Sequence, residues 1–137
     1  MPQNFDVQSI ELGAGSELAF SYIADRYNLP AWAYAFSDVT DEGARLRTPA
    51  GEVDIKLDVH AYDSNGVIVW VLTFPDGAVG RACSRVIPLK SSSCIYSFTL
   101  FPPPVPLEEL EGQLEAQSKI LKDELSKLKS IIDEMPA

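Results

Sequence analysis

The sequence predicts an α+β fold in which a curved antiparallel sheet grips one long C-terminal helix. Three observations predict it. From Val105 to the end of the chain, apolar residues recur at helical spacing. Six strand-like segments precede that helix with almost no helix among them. A short helical stretch follows one further strand near the N-terminus. A sheet wrapped about a single helix encloses an apolar space, so the order of elements already points to a container.

The elements can be justified in turn. Phe5–Leu12 alternates well enough for a first strand. Gly13-Ala14-Gly15 breaks it, and Ser16 is placed to cap a helix over Glu17–Tyr27, with Glu17 at its positive end. Leu18, Tyr22, Ile23 and Tyr27 form its apolar stripe. Leu29–Tyr34 reads as a second helical turn with Pro30 near its start. Six strands follow, over residues 36–41, 44–49, 52–62, 67–74, 79–88 and 93–101. Asn65-Gly66 and Asp76-Gly77 are strong hairpin signals, and Asp41-Glu42-Gly43 and Ala50-Gly51 are looser turns. Pro102-Pro103-Pro104 stiffens the exit from the sheet, and Pro106 suits the first turn of the last helix. That helix carries Leu107, Leu110, Leu114, Leu121, Leu125, Leu128 and Ile132, interrupted by Gln117 and Glu124. A coiled coil is the competing reading, which the interruptions and Gly112 weaken.

The chain of 137 residues suits one domain over 1–137, large enough to bury a core without staples. A net charge of −9 leaves no basic stripe for nucleic acid and disfavours anionic membrane surfaces. Met1-Pro2-Gln3-Asn4-Phe5-Asp6 lacks the pattern of a secretory signal, and the longest apolar run, Val67–Leu72, is too short to span a membrane. Cys83 and Cys94 read as buried free thiols in a reducing cytoplasm.

Hairpin register converts the strands into a candidate site. A two-residue loop at Asn65-Gly66 sets Ala61 opposite Trp70, Val59 opposite Leu72 and Leu57 opposite Phe74. One face then collects Ile55, Leu57, Val59, Ala61, Ile68, Trp70, Leu72 and Phe74, with His60 outside. The same logic at Asp76-Gly77 aims Arg81 and Arg85 into the apolar face. A bulge or one-residue slip instead puts Ala82, Ser84 and Val86 inside. Inward arginines require a carboxylate, carbonyl oxygens or an anionic ligand, and Glu124 is a candidate acid.

No nucleophile–base arrangement can be built unless His60 lies inside, and no metal-site spacing or phosphate-binding glycine loop is present. No cofactor is expected. What remains is aromatic: Trp32, Tyr34, Phe36, Trp70, Phe74, Tyr96 and Phe98 can line a pocket or fill a core.

A set of short motifs also appears in a familiar order. It comprises the first strand, the Ser16–Tyr27 helix, Leu29-Pro30-Ala31-Trp32, Thr48-Pro49-Ala50-Gly51-Glu52-Val53, Trp70-Val71-Leu72-Thr73-Phe74-Pro75-Asp76-Gly77, Ser84-Arg85-Val86 and Phe98-Thr99-Leu100-Phe101. In this ordered set the chain resembles the polyketide cyclase/dehydrase-like proteins of the START and birch-pollen-allergen superfamily (SRPBCC). The resemblance implies the helix-grip fold: a seven-stranded antiparallel sheet, two short helices after strand 1, and a long C-terminal helix across the sheet. It also implies a hydrophobic ligand such as a lipid, sterol or polyketide. It carries over no catalytic residue, because the family has no shared catalytic motif.

Three functions are thereby kept open. The first is binding of a small hydrophobic or amphipathic molecule between sheet and helix. Its expected contacts are Trp32, Leu57, Val59, Trp70, Leu72, Phe74, Tyr96, Phe98, Leu114 and Leu121, with Arg81 and Arg85 pairing an anionic head group if they face inward. The second is cyclase/dehydratase-like catalysis in the same cavity. The third is a protein-interaction module with a filled core, including a homodimer.

Overall fold

The computed structural model describes residues 5–48, 51–101 and 107–135, and the side chains of these apart from 48 and 107–115. The elements are β1 (Asp6–Leu12), α1 (Ser16–Ala24), a single 3-10 turn (Arg26–Asn28), α2 (Leu29–Trp32), β2 (Phe36–Val39), β3 (Gly43–Thr48), β4 (Gly51–Tyr62), β5 (Val67–Thr73), β6 (Val79–Lys90), β7 (Ser93–Leu100) and α3 (Leu107–Asp133). The seven strands form one sheet in the order β1-β7-β6-β5-β4-β3-β2, with every neighbouring pair antiparallel. β2 to β7 are therefore a chain of hairpins. The connection from β1 to β2 runs from one edge of the sheet to the other and carries α1 and α2. This is the predicted α+β architecture, seven strands and a long terminal helix included. The Pro102–Pro104 exit, Pro106, the Pro49-Ala50 part of one turn and the side chains of Leu107, Leu110 and Leu114 lie outside the described residues.

The first helix is shorter than its apolar pattern suggests. Gly15, not Ser16, occupies the cap position, and its carbonyl accepts from Ala19 N–H at 3.1 Å. The helix stops at Ala24 because Asp25 turns extended and its carboxylate accepts from Tyr27 N–H at 3.0 Å, which starts the 3-10 turn. Ala19 and Ile23 are fully buried, whereas Tyr27 lies 56% exposed beyond the end of the stripe.

Two hairpins differ from the two-residue loops expected of them. At the β4–β5 turn, Tyr62 pairs with Val67, leaving Asp63-Ser64-Asn65-Gly66 as a four-residue loop. Asn65 N–H donates to the Tyr62 carbonyl at 3.1 Å, and only Gly66 of the Asn-Gly pair has positive φ (+72°). A type I′ turn would need both residues there. The observed pairs are Val59–Trp70 and Leu57–Leu72, two residues from the expected register, so the expected apolar face is preserved.

The β5–β6 turn has the larger consequence. Phe74 N–H donates to the Ala78 carbonyl and Gly77 N–H to the Phe74 carbonyl, so the loop is Pro75-Asp76-Gly77. Proline supplies the φ of the first corner, the Asp76 carboxylate accepts from Ala78 N–H at 2.9 Å, and Gly77 takes φ of +91°. The odd loop length is the one-residue slip. Ile68 pairs with Ser84, Trp70 with Ala82 and Leu72 with Gly80. Arg81 and Arg85 consequently face outward and are exposed. A bulge between Pro88 and Lys90 absorbs the remaining offset, so Val86, Ser84 and Ala82 sit beside the inward-facing Tyr96, Phe98 and Leu100.

The core lies between the concave face and α3. Leu121, Leu125, Leu128 and Ile132 bury the inner stripe of the helix against Leu12, Ile23, Trp32, Leu57, Ile68 and Val86. Burial of each such aliphatic side chain contributes about 1.5–3 kcal/mol. Three polar links fasten α3 to β1 and the residue after it. Gln8 Nε2 donates to the Ser118 carbonyl (2.8 Å), Lys129 Nζ to the Glu11 carbonyl (2.9 Å), and Gly13 N–H to Asp133 Oδ1 (2.6 Å). No helix among the described residues is long and apolar enough to cross a membrane.

The two turn glycines should respond differently to alanine. A Cβ on Gly66 would run into the Val86 carbonyl in addition to straining the backbone, whereas one on Gly77 meets open space. Gly77→Ala should cost about 1–2 kcal/mol from the positive φ alone, and Gly66→Ala clearly more. Urea midpoints of the two variants check the order.

Candidate ligand cavity

The slip in β6 decides the shape of the interior. The inward residues of this central strand are Gly80, Ala82 and Ser84, three of the smallest side chains available, followed by Val86. Flanking strands place large residues beside them: Leu72 and Trp70 on β5, Phe98 and Leu100 on β7. The result is a trough along β6 with aromatic and aliphatic walls. α3 roofs it with Ala116, Gln117, Ile120, Leu121 and Glu124, and Trp32, Ala33, Phe36 and Leu46 close the side. The cavity is open at one side and measures about 390 Å³, within the usual range for small-molecule sites. Phe101 and Ile120 line it while remaining 40% and 47% exposed, which marks the mouth.

Its floor is an aromatic cluster. Trp70 stacks on Phe98 with ring centroids 6.0 Å apart, across a β6 too small in side chain to separate them. Trp32 stands edge-on to both Trp70 and Tyr96 at 6.4 Å, and Tyr96 stands edge-on to Phe98 at 6.3 Å. Trp32 Nε1, Trp70 Nε1 and the Tyr96 hydroxyl are buried and have no hydrogen-bond partner among the described residues. Ser84, the nearby candidate, gives its hydroxyl to the Ile68 carbonyl at 3.0 Å. Unpaired buried donors cost about 1–3 kcal/mol each; two of these three belong to the tryptophans that line the cavity, and Tyr96 lies behind them.

Glu124 is the single acid in the lining among the described residues. Tyr34 N–H donates to its Oε2 at 2.6 Å, and Ala35 N–H also bonds the carboxylate. Among the described residues it has no ion-pair partner. Desolvation in the apolar wall outweighs these hydrogen bonds and raises its pKa from 4.5 to about 7. Burial likewise pushes the Tyr96 phenol far above its ordinary value, and the charge of Glu124 acts in the same direction.

Of the residues expected at the site, Trp32, Trp70, Leu72, Phe74, Phe98, Leu121 and Arg81 line this cavity. Arg81 does so from the exposed side of its strand. Leu57 and Tyr96 are buried behind the lining, and Val59 is half-buried on the same sheet face. Leu114 lies outside the described side chains. Arg85 belongs to a second cleft of about 510 Å³ between α1 and the β4–β5 loop, where Nε donates to the Asn65 carbonyl at 3.1 Å. That cleft is larger, but Ser16, Glu17, Asp63 and Ser64 give it a polar wall. His60 is exposed on the outer face, and no cluster of His, Cys, Asp and Glu among the described residues could hold a metal ion. Gln117 and Glu124 were visible beforehand as breaks in the helix stripe, and both face the cavity.

No family model matches the sequence, and no curated protein matches it. Solved structures do. XoxI from Bacillus cereus superposes with a TM-score of 0.69 at 18% identity, over 96% of this chain and 97% of that one. A START superfamily protein from Mycobacterium smegmatis superposes with a TM-score of 0.64 at 15% identity, over 98% and 100%. The fold is that of START superfamily proteins. A further structural neighbour is the Zhui aromatase/cyclase from a Streptomyces species, with a TM-score of 0.61 at 12% identity over 94% and 87%. The helix-grip fold implied by the ordered motifs is therefore the fold of this chain.

The raised pKa of Glu124 has a definite sign for stability. The folded state holds this proton more tightly than the unfolded chain, so its contribution is complete below about pH 4.5 and lost as pH rises through about 7. Allowing for partial exposure, ionisation should cost about 1–3 kcal/mol. Glu124→Gln should thus be the more stable protein at pH 8 and should flatten the fall in Tm between pH 5 and 8. Paired thermal melts of the two proteins across that interval provide the check.

Proposed function

We propose that this chain binds a small, largely apolar molecule with one polar end, held between the concave sheet and α3. The observation that carries the reading is the trough over Gly80 and Ala82, where small side chains leave an open apolar cavity. Its aromatic walls offer large contact area, and burying one aromatic ring of a ligand against them contributes a few kcal/mol. The fold shared with START superfamily proteins and with an aromatase/cyclase supports the same reading by analogy. Cys83 and Cys94 are both free, which suits the reducing cytoplasm in which we place the protein.

One observation favours a second reading, cyclase/dehydratase-like catalysis. Glu124 is a carboxyl in an apolar cavity with a pKa of about 7, so it can both hold and release a proton at neutral pH. The two arginines that line the cavity, Arg47 and Arg81, are both exposed, and Arg47 gives Nη1 to the Tyr34 carbonyl, so binding without chemistry is the reading the geometry supports best.

The neutral dye N-phenylnaphthylamine, which brightens in apolar surroundings, tests binding directly. Wild-type protein should take it up with saturation at one equivalent. Trp70→Ala should weaken uptake by about tenfold or more, or about 1.4 kcal/mol. Ile120→Glu, at the exposed mouth where folding is not at risk, should weaken it as well, while Arg85→Ala in the other cleft should leave it unchanged. Equal uptake by all four proteins would remove the cavity from consideration.

A further inference from the structure

We infer that Glu124, and not an arginine, sets the charge of the ligand: the cavity accepts apolar molecules whose polar end donates a hydrogen bond, and rejects carboxylates. This deepens the cavity-binding reading and rests on it. The geometry is specific. Among the described residues Glu124 is the one acid of the lining, half-buried on α3. Its carboxylate is fixed against the backbone by the N–H groups of Tyr34 and Ala35, which leaves further lone pairs free for a donor on the ligand.

The charged and titratable groups around it do not neutralise it. Arg47, on β3, lines the same cavity but gives Nη1 to the Tyr34 carbonyl at 2.8 Å, on the other side of the peptide that binds Glu124. Arg81, on β6, is exposed to water, where its field is screened. Tyr96, on β7, is the remaining titratable neighbour. It is fully buried behind the lining and keeps its proton, so it brings no charge. On α3 itself Lys127, three residues on, is exposed, as are Lys122 and Asp123.

An acid pushed into this space therefore meets an uncompensated like charge in a low-dielectric wall. An alcohol or protonated amine instead gives Glu124 the donor it lacks. The two ligand types share one chemistry, a donor on an apolar body, and the test separates them. Raised protonation of Glu124 near neutrality adds a pH dependence, because the neutral carboxyl no longer repels an acid.

Both tryptophans of the chain line the cavity, so intrinsic fluorescence reads its occupancy. Titrations with decanol, decylamine and sodium decanoate at pH 8 share one apolar chain and differ only at the head. Decanol and decylamine should bind, with decanoate weaker by about tenfold or more. Glu124→Gln, nearly isosteric, should close the gap between decanoate and decanol and remove any preference for the amine. Lowering the pH to 6, where decanoate stays ionised but Glu124 largely does not, should narrow the gap in the wild type alone. Decanoate binding as tightly as decanol at pH 8, or a gap that survives Glu124→Gln, overturns the inference while leaving cavity binding intact. Quenching by none of the three overturns cavity binding and this inference with it.

Discussion

Everything inside this protein depends on the length of one turn. Pro75-Asp76-Gly77 is a three-residue loop because proline fixes the first corner, aspartate bonds the backbone beyond the turn, and glycine accepts the positive φ. Side chains alternate with a period of two, so one extra loop residue turns the whole of β6 over. With the shorter loop, Arg81, Cys83 and Arg85 would have pointed at α3. With the longer one, Gly80, Ala82 and Ser84 do. A strand of small residues at the centre of a sheet otherwise walled by Trp70, Leu72, Phe98 and Leu100 leaves space that no neighbouring side chain fills.

The hollow lasts only if its roof is held at the right height. α3 supplies this by dividing its labour along its length. Its C-terminal part packs Leu121, Leu125, Leu128 and Ile132 into the core, and is tied to Glu11 and Gly13 through Lys129 and Asp133. Its more N-terminal turns place Gln117, Ile120 and Glu124 over the trough instead. The polar breaks in the apolar stripe thus fall where the helix faces a cavity, and not where it faces packed side chains. A carboxylate at Glu124 would be poorly tolerated one turn further along, against Leu12 and Ile23.

The interior also retains polar groups that a filled core would not. Among the described residues two indole nitrogens and a phenol hydroxyl lack partners, and a carboxyl has its pKa driven to about 7 by its surroundings. Each is unfavourable for stability, and Trp32, Trp70 and Glu124 line one space. Local rules are most often broken where a structure serves something besides folding. The same groups explain why the cavity differs in character from the polar cleft at the other end of the sheet, where Arg85 and Asn65 satisfy one another.

The order of elements, the two short helices, the antiparallel hairpins and the long final helix were all legible in the chain. They rest on local patterns: alternation, helical spacing, and Gly, Pro and Asp at turns. The ordered short motifs pointed to the right fold even though no family model matches the sequence. The apolar face of β4 and β5 was legible too, because an error of two residues in register leaves side-chain parity unchanged. Trp70, Leu72 and Phe74 follow from that face and Leu121 from the helix stripe, and all four line the cavity. The signal for the β6 register was present as well, in the proline before Asp76-Gly77, but two registers gave comparable sheets until packing chose between them. Sequence determined which segments became strands and helices, since those choices are made within a few residues. Tertiary structure alone decided that a cavity opens beside the packed core, over Gly80 and Ala82. Whether space between elements is filled depends on side-chain volumes from strands far apart in the chain, and no local pattern measures that sum.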